Sequence, residues 1–316
     1  MSGALYNVFQ ILVFPGLIFL MFFGLAAEYI DRKLHARLQN RIGPPWFQPL
    51  ADFIKLAAKE EILPAQAGAA VFRFMPILAF TATVTAALYI PMWSTQALLS
   101  FQGDLIVVLY LLTVPTLTFF LAGWYSGSTY SMLGAARTVM QLFAYEVPLF
   151  LAILASALLA DTWSLSGVAA YYSNHPSHAL FNVIGFVVAL VALLGKLEKV
   201  PFDIPEAETE IVAGSFTEYS GRLLAMFRAA VDIEMVVGAT LLAALFIPFG
   251  MKGHWAADFA IYVVKVIAIV AVLSVLRTVF ARLRIDQMIN FCWKYVAPLA
   301  FFQVLLNLVV KGLLPR

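Results

Sequence analysis

The chain has 316 residues, 63% of them hydrophobic and only 12% charged, with a mean hydropathy of +0.91 and a formal net charge of +2. A soluble domain carries about a quarter charged residues, so the composition excludes a soluble globular protein and predicts a chain that crosses a membrane several times. The net charge gives no argument for a nucleic-acid partner, and a single cysteine, Cys292, excludes a disulfide framework or a cysteine-ligated iron–sulfur cluster within the chain.

A helix needs about 20 apolar residues to cross the hydrocarbon core. In chain order, the apolar runs predict spans at 8–30, 70–92, 104–124, 138–160, 180–198, 229–250, 256–278 and 295–314. The opening Met-Ser-Gly-Ala has neither a basic region nor a cleavage site, so the first run is expected to be a retained helix. Segment 46–61 reads instead as an amphipathic helix lying in the interface: Phe53, Leu56 and Ala57 form its apolar stripe, with Asp52, Lys55 and Lys59 on the polar side. Pro115 interrupts the third span, while Gln303 and Asn307 dilute the eighth.

Sixteen of the twenty lysines and arginines fall in loops on one side, between 30 and 73, at Arg137, between 196 and 228, and between 277 and 294. Lys252, Lys311 and Arg316 lie on the other side, and Lys265 lies within a span. By the positive-inside rule the sixteen face the cytoplasm and both termini face out, as eight spans require. The expected architecture is all-α: one integral domain over 1–316 in the cell membrane, about eight transmembrane helices, an amphipathic interfacial helix and long cytoplasmic loops. We find no internal repeat and no low-complexity tract.

Ionisable residues inside or against the bilayer are costly and mark functional positions. Glu146 lies eight residues into the span 138–160, about 12 Å deep at 1.5 Å per residue. Pro148 is expected to open the helix beside it and to leave Gln141, Tyr145 and Glu146 as a polar patch; the bland alternative is a protonated carboxyl that packs two helices together. Lys265, in mid-span, must pair with a carboxylate or lose its proton, and reads as a relay member or a charge lock. Asp232 and Glu234, in the first turns of the sixth span, form either the cytoplasmic mouth of a polar route or a helix cap. Between 198 and 218 the chain places Glu198, Asp203, Glu206, Glu208, Glu210 and Glu218. A short helix opened by Pro205 accounts for Glu206 and Glu208 in its first turn. On such a helix Asp203, Glu206 and Glu210 share one face, where crowded carboxylates raise one another's pKa. His175 and His178 sit in a polar loop without further metal-ligand spacing, no metal site is expected, and no nucleotide loop or nucleophile–base pair occurs.

Five blocks carry a family resemblance over nearly the whole chain. They are Asp31-Arg32-Lys33 with Gln39, Arg41 and Gly43-Pro44; Gln48-Pro49-Leu-Ala-Asp52-Phe-Ile-Lys55-Leu; Gly134-Ala-Ala-Arg137 with Gln141 and Tyr145-Glu146-Val-Pro148; Pro201-Phe-Asp203-Ile-Pro205-Glu206-Ala-Glu208 with Glu210, Val212-Ala-Gly and Glu218-Tyr-Ser-Gly221-Arg222; and Arg277 with Arg282-Leu-Arg284-Ile-Asp286-Gln287 and Trp293-Lys294. Together they resemble the membrane subunit that joins the peripheral arm to the membrane arm in complex I and its hydrogenase relatives, known in mitochondria as NADH dehydrogenase subunit 1.

That resemblance implies a coupling subunit with no redox centre of its own. It implies peripheral hydrogenase-like and iron–sulfur subunits as partners, which carry the iron–sulfur clusters and, in the hydrogenase branch, a NiFe centre, together with antiporter-like membrane subunits. Glu146, Asp203, Glu206, Glu208, Glu210 and Glu218 inherit the acidic passage of that family, and Arg32, Arg41, Asp52, Arg137, Arg222 and Arg284 its docking and chamber positions. Departures accompany the match. Quinone-reducing members usually read E-T-N-R where this chain has Lys196-Leu-Glu198-Lys199. Asp31 and Pro45 replace a glutamate and an asparagine, Val231 with Asp232 and Glu234 stands where a glutamate is usual, and Arg228 adds a charge. These changes weigh against quinone and towards a ferredoxin-linked membrane-bound hydrogenase or sulfur-reducing complex that moves H⁺ or Na⁺. A quinone-reducing complex I subunit is the alternative, and a stand-alone secondary transporter, lacking the inverted halves that class shows, a remote one.

Overall fold

The structure, a computed structural model, describes residues 2–250 and 253–313, without the side chains of 2–4, 7, 208 and 209. Lys252, Arg316 and the Glu208 side chain therefore lie outside the described residues. In chain order the helices are α1 (Ser2–Leu12), α2 (Leu17–Leu38), α3 (Gln48–Ala58), α4 (Ala69–Leu88), α5 (Asp104–Trp124), α6 (Thr129–Ala160), α7 (Leu165–Asn174), α8 (Val183–Lys196), α9 (Glu208–Ile211), α10 (Gly221–Phe246), α11 (Trp255–Val279), α12 (Ile285–Phe291) and α13 (Ala297–Leu313). Among the described residues eight helical stretches are long and apolar enough to cross a membrane, and the chain is an all-helical polytopic protein as expected.

Within a bilayer, helix association depends on close packing and polar contacts rather than on a solvent-driven effect. The chain supplies both. α10 is the central helix: nearly every residue from Ile233 to Phe246 is buried, and it packs against α2, α3, α4 and α11. Thr83 and Thr240 return their hydroxyls to the carbonyl four residues back, which satisfies these donors in an apolar setting. At one end Phe72 stacks on Tyr219 with ring centroids 3.9 Å apart, and Phe119, Phe216 and Phe227 close the cluster around them. This aromatic cluster pins the segment between α9 and α10 onto α4 and α5. Gly134 permits the same docking on α6: a Cβ there would meet the Ser215 backbone nitrogen at 2.5 Å.

Several boundaries differ from the sequence expectation. The first span is two helices broken at Pro15 and Gly16, and α2 runs eight residues beyond the predicted end at 30. α6 starts at Thr129 rather than 138 and continues as helix through Pro148, so the expected opening beside Glu146 does not form. α10 starts at Gly221, which puts Asp232 and Glu234 about 16 and 20 Å along it rather than in its first turns. Asp203 is in irregular chain, Glu206 is in a turn and α9 begins only at Glu208, so Pro205 opens no helix and the shared helical face of Asp203, Glu206 and Glu210 is absent. The early starts of α6 and α10 and the late end of α2 share a physical cause. Hydropathy finds the lipid-spanning part of a helix, whereas the helices continue as charged turns beyond it.

Candidate functional site

The C-terminal ends of α2, α8 and α11 and the N-terminal half of α10 meet at the basic end of the bundle, around a cavity of about 760 Å³. Its walls combine ion pairs with apolar side chains, among them Leu25, Phe53, Leu56, Phe119 and Phe227. On α2, Glu28, Asp31 and Arg32 share one face by their three- and four-residue spacing. A chain of alternating charge runs through them: Asp52 to Arg32 at 3.0 Å, Arg32 to Glu28 at 2.6 Å, Glu28 to Lys199 at 3.4 Å, Lys199 to Asp31 at 2.6 Å, and Asp31 to Arg277 at 2.8 Å. Burial disfavours the Lys199 ammonium, but the Glu28 and Asp31 carboxylates outweigh it and hold the pKa of Lys199 above its ordinary value. α3 thus joins the cavity wall through Asp52, Phe53 and Leu56, and packs against α2 and α10.

The acidic segment forms the facing wall. Asp203 meets Arg282 at 2.8 Å, the same guanidinium approaches Glu210 at 3.5 Å, and Glu210 meets Arg137 at 2.7 Å. The Arg137 hydrogen bond is the main reason the exposed Glu210 carboxyl stays below its usual pKa. Glu206 meets Arg228 at 3.2 Å. Glu198 differs from these acids. Its Oε1 is buried without a hydrogen-bond partner, and burial, then the charges of Glu206 and Glu234, push its carboxyl well above the usual range. Asp232 and Glu234 also line the cavity. Glu234 is 1% exposed and lies 2.9 Å from Lys196, itself 3% exposed.

A second space, a crevice of about 10 Å³ and so near the size of one water, lies between α5, α6, α8 and α10. Glu146 and Lys196 both line it, and Lys196 lines the large cavity as well. The Glu146 carboxylate accepts a 2.5 Å hydrogen bond from Thr113, and Lys196 also donates to the Leu112 carbonyl. Tyr145 and Gln141, the other members of the expected polar patch, are buried and bonded to Thr116 at 3.0 Å and to the Gly195 carbonyl at 2.7 Å.

Of the positions singled out from sequence, the cavity therefore gathers Glu198, Asp203, Glu206, Asp232, Glu234, Arg32 and Asp52, with Glu146 next to it. Arg137 and Glu210 pair at its margin, and Arg222 pairs with Glu61 at 3.0 Å. Arg41 and Arg284 are exposed, and the Arg284 backbone N–H donates to Gln287 Oε1 at 3.1 Å. Glu218 lies in the turn before α10, outside the cavity lining. Lys265 is not brought to the site: its ammonium donates to the Ile247 carbonyl at 3.1 Å and so caps the far end of α10. Sequence reasoning passed over Glu28, Asp31, Lys196 and Lys199 as site residues. For the first two the signal was their spacing with Arg32, obscured by ending the helix at 30. For the lysines it was their place in a motif where other members carry different residues.

These features define a class: a polytopic helical membrane protein with a buried, ion-paired cavity at its basic end. Residues 10–308 match the sequence model of the family described as NADH dehydrogenase. The chain belongs to that family, which is the family of complex I subunit 1. It is 32% identical to the NADH-quinone oxidoreductase H subunit of Carboxydothermus hydrogenoformans, over 94% of this chain and 86% of that one. It is 35% identical to the same-named protein of Thermomicrobium roseum, over 90% and 89%, and 34% identical to NADH-quinone oxidoreductase subunit 8 of Thermus thermophilus, over 91% and 82%. Among solved structures it resembles a chain of the membrane-bound sulfane sulfur reductase, an archaeal respiratory membrane complex, with a TM-score of 0.84, 29% identity, and coverage of 97% of this chain and 100% of that one.

Proposed function

We propose that this chain is the membrane subunit that links a peripheral redox arm to an ion-moving membrane arm in a ferredoxin-linked respiratory complex of the hydrogenase or sulfur-reductase type. The observation that carries this reading is where the departures from the quinone-reducing pattern fall. Lys196, Glu198, Lys199, Arg228, Val231 and Asp232 all line the large cavity. Asp31, beside it, binds Lys199 and Arg277.

A quinone headgroup needs hydrogen-bond donors for its carbonyls and an apolar path for its tail. Every arginine lining the cavity (Arg32, Arg228, Arg277 and Arg282) pairs with a carboxylate, as do Lys196 and Lys199; among the described residues, of the basic side chains in the lining only Lys55 is in no ion pair, and Arg277 Nε has no hydrogen-bond partner. A neutral carbonyl does not displace a carboxylate from a guanidinium in a buried site. A lining so rich in paired charge supports a charge-responsive site more than a quinone site. Titratable groups in such a cavity respond instead to charge. An electron arriving in a docked partner favours proton uptake on Glu198, Asp203, Glu206, Asp232 or Glu234, and its departure favours release through Glu146 towards neighbouring membrane subunits. The basic loops that carry Arg41, Arg222 and Arg284 are then cytoplasmic docking surface, with both termini outside the cell membrane.

The names of the NADH-quinone oxidoreductase relatives favour the second reading, quinone reduction. Turnover of the purified intact complex separates the two. Hydrogen or sulfide production driven by reduced ferredoxin, insensitive to added quinone, is the expected result. Turnover that requires quinone transfers the conclusion to the second reading.

A further inference from the structure

We propose that Lys196 is the proton carrier joining the cavity to Glu146, so that the ion crossing this point is H⁺ rather than Na⁺. The proposal rests on the coupling role argued above and names the step that role requires.

Three observations converge on this residue. Among the described residues, Lys196 is the only ionisable side chain that lines both the cavity and the crevice of Glu146. Its ammonium lies 2.9 Å from Glu234 on one side and donates to the Leu112 carbonyl on the other. Glu234, 1% exposed, meets Lys196 through Oε1, while its Oε2 has no side-chain or backbone partner among the described residues and is the oxygen left to take a proton. A lysine on a four-carbon stem can shift its ammonium between two acids; a guanidinium cannot release its proton at all.

The transfer balances in two moves. An N–H bond of the Lys196 ammonium breaks and an O–H bond forms on the Glu146 carboxylate, which leaves a neutral amine. The carboxyl of Glu234, protonated from the cavity, then gives its proton to that amine, restoring the ammonium and the Glu234 carboxylate. The net result is one proton moved from the cavity to Glu146, with Lys196 and Glu234 regenerated. Sodium has no part in either move, since an ammonium excludes a second cation from the same carboxylate.

The test uses the intact complex in sealed vesicles. Redox turnover is measured beside acidification with a pH-sensitive dye and beside uptake of labelled sodium. Lys196→Arg keeps a cation opposite Glu234 but removes the releasable proton. Assembly is expected to persist while the rate of proton transfer falls about 100-fold, the scale set by losing a positioned proton donor. Proton transfer at the wild-type level in Lys196→Arg overturns the proposal and leaves Lys196 a charge lock. Should the arginine prevent assembly, Lys196→Met with Glu234→Gln removes both charges together, leaving neither unpaired, and the same two outcomes decide. Glu146→Gln run in parallel separates the layers. Loss of transfer in Glu146→Gln with normal transfer in Lys196→Arg sinks the carrier alone, whereas normal transfer in Glu146→Gln sinks the coupling role itself.

Discussion

The two ends of this bundle bury polar groups by opposite means. At the basic end the cavity holds chains of alternating charge in which Glu198 and Glu234 keep oxygens without hydrogen-bond partners. At the far end a neutral network ties α13 to α6, α7 and α8. Asn307 donates to Asn182 at 2.6 Å and to the Ala155 carbonyl at 2.7 Å. Gln303 bridges Asn307 and the Gly185 backbone, and Asn182 donates to Tyr172. No side-chain atom of Asn182, Gln303 or Asn307 is left buried and unpartnered. A satisfied amide network fixes a fold, while an incompletely satisfied charged one stays responsive to an added charge. On the function proposed above, the charged end is the one built to respond and the amide end the one built to hold.

The sharpest way to break this contrast is to orphan a charge. Lys196→Met leaves Glu234 buried and unpaired and is expected to cost about 3–5 kcal/mol of stability, read as a lowered melting temperature in detergent. Adding Glu234→Gln should restore most of it. A single mutant as stable as wild type would mean that the pair is already neutral.

Next in size is the outer network. Asn307→Ala leaves Asn182 and Gln303 short of partners and should cost about 1–3 kcal/mol, with ion transfer per turnover unchanged. A coupling defect in a stable Asn307 variant would erase the proposed division between the two ends.

A third prediction concerns pH. The folded state holds Glu198 well above its ordinary value of 4.5, so it binds a proton there that the unfolded chain releases. Its contribution to stability is complete below 4.5 and is lost as pH rises through the folded pKa. Glu198→Gln should therefore flatten the alkaline fall in melting temperature; an unchanged slope would show that Glu198 is ionised throughout. Smallest of all, Asp161→Asn on the outer surface, which breaks an exposed pair with Lys311, should leave the melting temperature unmoved.

Much of this organisation was legible in the residues. Span 104–124 is α5 residue for residue despite Pro115, since a proline is tolerated in a membrane helix packed among neighbours. Gln303 and Asn307, read as diluting the last span, are buried amides that hold it in place. Less was visible where pairing depends on distant segments. Nothing in the sequence of α8 says that Lys196 faces Glu234, and hydropathy ended α2 before the charged turns that carry Asp31 and Arg32. The buried α7 escaped notice because its ten residues are too short for a span and too mixed to read as amphipathic. For Lys265, read as a relay member or a charge lock, the sequence could not show that its ammonium reaches the carbonyl of Ile247 at the end of α10.

One measurement bears on the central claim most directly: protons transferred per electron by the intact complex carrying Glu146→Gln, in sealed vesicles, with redox turnover followed in the same sample. The amide keeps a polar group opposite Thr113 but cannot ionise. Turnover that continues while proton transfer collapses is the predicted result. An unchanged proton-to-electron ratio would contradict it and leave Glu146 a packing group between α5 and α6.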